Sequence, residues 1–188
     1  MTTEAAIKRT VWTADPMHSI AEFAVTHLVV TTVKGRFRDL EATLYIDEAN
    51  PENSWVEAKI AVASVDTNVE ARDADLRSDN FFSADQFPYI TFRSTRIERL
   101  DDERFRLTGE LMIRDVTKEV VLDSEYEGQI DDPYGNKRAG FTAMTQISRK
   151  ELGIRWNQLI ESGGAVVGDN VKITLHIEAI RKKEDEAS

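Results

Sequence analysis

Apolar and polar residues alternate one by one along most of this chain, a pattern typical of β-strands with one buried face. Eight segments carry the pattern. Taking every second residue, the expected inward faces lie within residues 21–27, 40–46, 56–64, 90–94, 105–113, 120–126, 139–147 and 171–179. Most of the connections are short and rich in turn residues. The pattern therefore predicts an all-β domain of antiparallel strands, either closed into a barrel or stacked as a two-sheet sandwich.

One stretch, residues 64–94, interrupts the alternation. Thr67 and Glu70 have the spacing of a capping box, in which a hydroxyl caps the helix start and a Glu reaches back. Asp73 and Arg77 lie one helical turn apart, where they can pair on an exposed face. Pro88 then ends any helix and leads into the next strand. These signals predict one short helical insertion around residues 68–87.

Three aromatic residues follow the predicted helix: Phe81, Phe82 and Phe87. A short helix and an aromatic cluster inserted into a β-chain favour a lid, or an apolar stopper over one opening of a barrel. An ordinary crossover packed on the end of a barrel is the alternative, although connections of this length often carry function.

A second interruption lies at residues 149–168, where Ser162, Gly163 and Gly164 predict a mobile loop. A chain of 188 residues fits one domain, since all-β barrels of this length are often undivided. We predict a flexible N-terminal segment over residues 1–11, a single β-barrel domain over residues 12–180 and a charged C-terminal tail over residues 181–188.

An eight-stranded barrel is just wide enough to be filled by side chains or to hold one small ligand. The expected inward faces contain many small residues, namely Ala21, Ala42, Ala58, Ser64, Gly109, Ser124, Ala143, Thr145 and Ala179. They favour a hollow tube lined by Phe23, Val25, Ile60, Val62, Phe92, Leu111 and Phe141. The alternative is a filled, tapering core in which small residues face large ones. An apolar tube suits a lipid chain, because each buried CH₂ group contributes about 0.8 kcal/mol.

Composition and charge narrow the classes of partner. The formal net charge is −10, with 24 Lys and Arg against 34 Asp and Glu, which disfavours nucleic acid as a partner. The absence of cysteine excludes disulfides, thiol catalysis and thiolate metal sites. No apolar run approaches the roughly 18 residues of a membrane span, so no integral membrane segment is expected. The N-terminus lacks the pattern of a signal peptide, and we therefore expect a cytoplasmic protein.

The three histidines form no recognised metal or catalytic pattern. His18 and His27 lie nine residues apart, and His176 falls on the expected outward face of its strand. No nucleophile is accompanied by a base and an orienting acid, so we assign no catalytic residue and no metal ligand. His27 is expected to point inward beside Val25. It is either a buried histidine bonded to a neighbour or a hydrogen-bonding partner for the polar head group of a ligand.

Four groups of motifs resemble the YceI-like family over roughly residues 12–180. The first is Asp15-Pro16-x-His18-Ser19 with Phe23-x-Val25-x-His27-Leu28. The second and most specific comprises Ser64-Val65-x-Thr67, Arg72-Asp73, Leu76-Arg77-Ser78, Phe81-Phe82 and Phe87-Pro88-x-Ile90-x-Phe92-x-Ser94. The third is Gly109-x-Leu111-x-Ile113-Arg114 with Val116-Thr117, and the fourth is Gly153-Ile154-x-Trp156 with Val167-Gly168-Asp169-x-Val171. The chain departs from the family at Asp75, Met112 and Asp115, where His, Thr and Gly are common.

The resemblance implies an extended, lipocalin-like, eight-stranded antiparallel β-barrel that is often a homodimer. It implies that the elongated cavity binds a polyisoprenoid or an isoprenoid quinone, with no cofactor besides this lipid. The expected role is that of a carrier, storage or sequestering protein rather than an enzyme. The expected ligand-binding residues are Phe23, Val25, His27, Ile60, Val62, Phe81, Phe82, Ile90, Phe92, Leu111, Phe141 and Trp156. Two alternatives stay open: an enzyme acting on such a lipid, with His27 as acid or base, and a stress-related structural protein with a filled barrel.

Overall fold

Strands dominate the computed structural model, which describes residues 9–158, 164 and 166–183. Within these residues there are eleven strands and one α-helix. The strands are β1 (Arg9–Ala14), β2 (Ile20–His27), β3 (Thr31–Phe37), β4 (Leu40–Asp47), β5 (Trp55–Ala61), β6 (Val65–Asp66), β7 (Tyr89–Arg99), β8 (Arg104–Ile113), β9 (Val116–Asp131), β10 (Lys137–Ser148) and β11 (Val167–Arg181). The helix is α1 (Glu70–Arg77), and short 3₁₀ turns span Pro51–Asn53 and Val62–Ser64.

Eight of the strands close into an antiparallel barrel. Their order is β1-β4-β5-β7-β8-β9-β10-β11, and β11 pairs back onto β1 with Ala14 opposite Ala179. Strands β2 and β3 form a hairpin that extends the β1–β4 pair, and β2 continues along β11 where β1 leaves off. The prediction of an eight-stranded antiparallel barrel with one short helix is confirmed, and the two-sheet sandwich is not formed.

The two ends of the barrel differ in what covers them. Because neighbouring strands run antiparallel, the turns between β4 and β5, β7 and β8, and β9 and β10 meet at one end, which we call the far end. The segment between β5 and β7, which contains α1, lies at the opposite end together with the β8–β9 turn. We call this opposite end the lid end, and residues 62–88 the lid segment.

Strand β1 was not predicted from the sequence. The expected flexible segment, residues 1–11, overlaps Arg9–Ala14, where the structure has a strand paired with both β4 and β11. Trp12 is buried opposite Leu44, and Thr10 accepts a hydrogen bond of 2.8 Å from its indole nitrogen. The strand is short and half polar, so its pattern was too weak to predict. Residues 1–8 and 184–188, and Ser162 and Gly163 of the expected mobile loop, lie outside the described residues.

The helix forms where expected, but its predicted capping box is wrong. Helix α1 has Val69 at its N-cap position and no side-chain cap. Thr67 lies two residues earlier, and Asn68 between them has a positive φ of 65°. The backbone amide and the hydroxyl of Thr67 both donate to Asp73 Oδ1, at 2.8 and 2.6 Å. Thr67 therefore binds a residue inside the helix instead of capping its start.

The predicted surface pair of Asp73 and Arg77 is also wrong. Asp73 is only 5% exposed because it faces Thr67. Instead, Arg77 Nη1 lies 3.5 Å from Glu70 Oε1, and Arg77 Nε donates a hydrogen bond of 3.2 Å to the Ala63 carbonyl oxygen. Arg72 also binds Thr67, through its hydroxyl and its carbonyl, at 2.7 and 2.8 Å. Both Arg72 and Asp73 thus fix helix α1 to the part of the lid segment that precedes it.

Candidate functional site

The interior of the barrel is a cavity of about 530 Å³. Ligand pockets begin at about 300 Å³, so the hollow interior is large enough to hold a ligand and the filled barrel is not what forms. Every strand of the closed ring contributes lining residues, and most of these follow the predicted alternation; Tyr45 and Thr91, which were expected to point outward, also line the cavity. On β9, for example, the lining residues are Val120, Leu122, Ser124 and Tyr126. Most of the lining is aliphatic or aromatic.

Nine of the twelve predicted ligand-binding residues line this cavity: Phe23, Val25, Ile60, Phe81, Phe82, Ile90, Phe92, Leu111 and Phe141. The other three lie nearby but do not line it. Val62 is buried at the start of the lid segment, and Trp156 packs on Phe81 with ring centroids 5.4 Å apart. His27 is the last residue of β2, paired with Thr31 and Val167. Contact of any of the twelve with a ligand stays a prediction.

Aromatic side chains cluster at the lid end of the cavity. The Phe37 ring contacts Phe23 and Phe82, with both pairs of centroids 5.6 Å apart. Gly35 makes room for this arrangement, because a Cβ atom there would lie 2.4 Å from the Phe23 ring. Phe81 and Phe82 both line the cavity, so they lie where the sequence suggested an apolar stopper, and their closing of this end stays a prediction.

Phe87 does not belong to the stopper, although the sequence suggested it. It is not among the described residues that line the cavity, and the guanidinium group of Arg114 lies over its ring at 5.8 Å. Arg114 also donates a hydrogen bond of 3.1 Å to the Phe81 carbonyl. This arginine thus fixes the backbone of the stopper from outside the cavity.

Arg149 holds the neighbouring segment against the lid end. Its buried guanidinium group donates to the carbonyl oxygens of Gly168, Ile154, Trp156 and Val167, at 2.7, 3.1, 2.8 and 3.1 Å. Burial lowers the pKa of this guanidinium group from its ordinary value. No pattern in the sequence pointed to this role, because Arg149 begins a run of charged residues that is typical of an exposed segment.

The far end of the cavity is polar and open. Glu48 and Gln129 line the cavity and are solvent-exposed, so the cavity reaches solvent between them. Tyr126 lies just inside, and its pKa is raised by burial and, secondarily, by the Glu48 carboxylate. Deeper in, the Ser124 Oγ atom is buried without a hydrogen-bond partner among the described residues. The alternating pattern predicted that Ser124 and Tyr126 point inward but did not identify them as site residues.

A charged network lies outside the cavity, where the first and last strands meet. Arg138 Nη1 lies 2.8 Å from Asp15 Oδ2 and 2.7 Å from Glu178 Oε1, and His18 Nδ1 lies 2.9 Å from the same Asp15 oxygen. The hydrogen bond from His18, and then that from Arg138, lower the pKa of Asp15 to about 2. Asp15, His18 and Glu178 approach one another as metal ligands do. The guanidinium group already occupies the place of a cation, so we interpret the cluster as an ion-pair network.

Two further observations concern the histidines, one of which was a candidate acid or base, and the length of the helix. No histidine is among the described residues that line the cavity, and all three histidines are described. The one helix in the described part of the chain has eight residues, and none there is long and apolar enough to cross a membrane.

Known proteins share both the sequence and the fold. The YceI-like domain matches residues 12–179. Protein YceI of Shigella flexneri is 36% identical over 166 residues, which cover 88% of this chain and 83% of that protein. The crystal structure of the Campylobacter jejuni YCEI protein matches with a TM-score of 0.72 at 31% identity, covering 84% of this chain and 90% of that one. A polyisoprenoid binding domain from Saccharophagus degradans, implicated in plant cell wall breakdown, matches with a TM-score of 0.69 over 91% of this chain and 98% of that one. Its identity of 14% shows a shared fold alone.

Proposed function

Because this chain belongs to the YceI-like family, we propose that it binds an isoprenoid-type lipid, a polyisoprenoid or an isoprenoid quinone, in the barrel cavity. Its role is that of a carrier, storage or sequestering protein. The observation that carries the proposal is a cavity of about 530 Å³ with an almost wholly apolar lining. The polyisoprenoid binding domain from Saccharophagus degradans, which has the same fold, supports the choice of lipid class.

The physical chemistry of the cavity accounts for useful affinity without a dedicated polar contact. Each buried CH₂ group contributes about 0.8 kcal/mol, so three or four prenyl units contribute on the order of 10 kcal/mol. Ordering the flexible chain and losing its overall motion offset several kcal/mol of this. Micromolar or tighter binding follows. Because one methylene is worth only about 1–3 kcal/mol, such a cavity discriminates weakly between chains of similar length.

Native mass spectrometry of the purified full chain tests the proposal most directly. We expect an adduct whose mass matches an isoprenoid lipid, and organic extraction of the same sample should release it chemically unchanged. A protein that emerges consistently empty, and that takes up no prenyl chain when one is supplied, would contradict lipid binding. A chemically altered lipid would instead favour the enzymatic alternative.

Two adjacent valines on β9 offer a matched pair of variants. Val120 lines the cavity, whereas Val121 points outward and is 44% exposed. Val120→Phe fills part of the cavity and displaces a few methylene equivalents of lipid, so we expect affinity for a prenyl probe to fall about tenfold or more. Val121→Phe adds the same bulk outside and should leave affinity within about twofold of the wild type. A fluorescence displacement assay measures both affinities, and thermal melting confirms that both variants fold.

The family resemblance also supports a homodimeric state, which is part of the proposal. Sedimentation equilibrium of the purified chain tests it. A mass near twice that of the 21.3 kDa chain is the expected result, and a monomer at all accessible concentrations would contradict it.

A further inference from the structure

We propose that the lipid lies with its tail at the lid end and an anionic phosphate or diphosphate head group in a basic pocket at the far end. This inference rests on the proposed function and adds the orientation and the charge of the ligand. The basic pocket has a volume of about 390 Å³ and is lined by Lys137, Arg181, Lys182 and Lys183, together with Asp131, Gly135 and Asn136.

The orientation follows from the difference between the two ends. At the lid end most lining side chains are apolar and buried, among them Phe81, Ile113 and Ile154. Arg149 also lines the cavity there, but its guanidinium group already donates hydrogen bonds to four backbone carbonyl oxygens. A polar head group placed there would lose its hydration without gaining hydrogen bonds. At the far end Glu48 and Gln129 are exposed to solvent while they line the cavity. A head group that must keep polar partners therefore belongs at the far end.

Strand pairing places the basic pocket directly outside the mouth of the cavity. On β9, Gln129 lines the cavity, and Asp131, two residues further along the same face, lines the pocket. On the other side, Trp12 lines the cavity and pairs directly with Arg181 of the pocket. Lys137 pairs with Asp131 and precedes the cavity-lining Ala139 by two residues. Cavity and pocket thus follow each other along the barrel, as the chain and head group of one lipid do.

The charge of the pocket selects the class of head group. Four cationic side chains meet one carboxylate, Asp131, whose Oδ1 atom lies 3.4 Å from Lys137 Nζ. Asp47 and Glu48 also line the far end of the cavity, so the four cations outnumber three acids among the described residues. The backbone nitrogen of Lys182 donates a hydrogen bond of 2.7 Å to the Val11 carbonyl, which holds this part of the pocket against β1. Such a group of cations on a chain of net charge −10 attracts an anion locally.

Two probes with the same twenty-carbon prenyl chain test the inference: geranylgeranyl diphosphate and the uncharged alcohol geranylgeraniol. Both are measured by competition against a fluorescent apolar reporter, below their micellar concentrations, with the full chain at low salt. We expect the diphosphate to bind about tenfold more tightly than the alcohol, and the preference to shrink as salt rises.

Charge variants test whether the basic pocket causes the preference for the diphosphate. The triple variant Lys137→Gln, Lys182→Gln, Lys183→Gln should reduce the preference for the diphosphate to less than about threefold while keeping the affinity for the alcohol. The control triple Lys34→Gln, Lys118→Gln, Lys172→Gln changes the net charge equally at exposed positions that line neither cavity nor pocket, and should keep the preference.

The outcomes separate the two proposals. Equal affinity of the wild-type chain for both probes overturns the inference and leaves lipid binding intact. Equal loss of preference in both triple variants also overturns it, because the effect would then be that of net charge. Failure of both probes to bind overturns the proposed function and this inference with it.

Discussion

A single hydroxyl group on β9 illustrates what the cavity demands of its residues. Ser124 Oγ is buried without a hydrogen-bond partner among the described residues, and the residue lines an otherwise apolar wall between Leu122 and Tyr126. A buried hydroxyl left unpaired costs about 1–3 kcal/mol relative to one that is paired. In the lipid-free protein this side chain is therefore a source of instability.

We expect Ser124→Ala to raise the free energy of unfolding of the lipid-free protein by about 1 kcal/mol, since it removes an unpaired polar atom. Ser148→Ala is the matched control. Ser148 Oγ donates to the Asp169 carboxylate, with its two oxygens at 2.9 and 2.8 Å, so its loss should lower the free energy of unfolding by about 1–2 kcal/mol. Urea denaturation of delipidated protein measures both. Equal destabilisation by the two substitutions would show that Ser124 has a partner.

At this scale the sequence predicts which way a side chain points better than what it binds. Alternation placed Ser124 and Tyr126 inward correctly, because strand geometry alone fixes the direction. It failed at Thr67, which bonds to Asp73 instead of capping α1, because a positive φ at the next residue shifts the helix start. Arg149 was missed for a similar reason. Its carbonyl partners lie up to nineteen positions away and only the folded chain brings them together.

The β2–β3 hairpin carries backbone strain in its connecting turn. Leu28 and Val29 have positive φ values of 51° and 67°, a region that residues other than glycine rarely adopt and that is least favourable for a β-branched residue such as Val29. Val29 is 61% exposed and Val30, with no positive φ, is 80% exposed. Little packing compensates for the strain at Val29, because its side chain points largely into solvent.

We expect Val29→Gly to raise the free energy of unfolding by roughly 0.5–1.5 kcal/mol, because glycine adopts the left-handed region freely and this gain exceeds the entropy that a glycine loses on folding. Val30→Gly, one residue further on, relieves no strain and only increases the entropy that the chain loses on folding. Its free energy of unfolding should therefore be unchanged or slightly lower than that of the wild type. Chemical denaturation of the two variants beside the wild type measures the difference. A loss of stability in Val29→Gly similar to that in Val30→Gly would refute strain at this position.

Elements were predictable where the pattern is long and uninterrupted. All eight predicted strands exist, because each has an alternating pattern with an apolar face. The strand expected over residues 56–64 is shorter than predicted, since it ends at Ala61 and a 3₁₀ turn spans Val62–Ser64. Strand β1 was missed because it has only six residues and a polar residue, Thr10, shares the buried face with Trp12. The lid segment could be predicted as an interruption with one helix. Its stopper could be named only in part, since Phe81 and Phe82 enter the cavity while Phe87 turns toward Arg114.

The barrel closes where β1 meets β11, and backbone pairing between these two strands is short. Strand β1 meets β11 over only three residue pairs, and the chain then breaks at Asp15 before β2 resumes along β11. Arg138 bridges this break, with its guanidinium group bonded to Asp15, Asp132 and Glu178. The hydrogen bond from Arg138, followed by one from the backbone amide of Asn136, lowers the pKa of Asp132. In turn, the three carboxylate groups that bond to Arg138 raise the pKa of its guanidinium group.

This junction makes stability depend on pH in an acidic window. Asp15 has a folded-state pKa of about 2 against an ordinary value of 3.8, because His18 and Arg138 bond to its ionised form. A carboxyl group with a lowered pKa stabilises the fold above its ordinary pKa and loses that contribution as pH falls toward the folded value. The contribution of Asp15 should therefore be complete at about pH 5 and decline between about pH 4 and pH 2.

Asp15→Asn tests this contribution, and urea denaturation at intervals from about pH 2 to pH 6 measures it. We expect the variant to be less stable than the wild type by about 1–2 kcal/mol at pH 5, and the difference to vanish toward pH 2. Asp123→Asn is the control, because that carboxylate is 74% exposed and lies 3.8 Å from Arg106 in a surface pair worth little. Its difference from the wild type should be small throughout. A constant difference for Asp15→Asn across the range would mean that the junction depends on the shape of the Asp15 side chain and not on its charge.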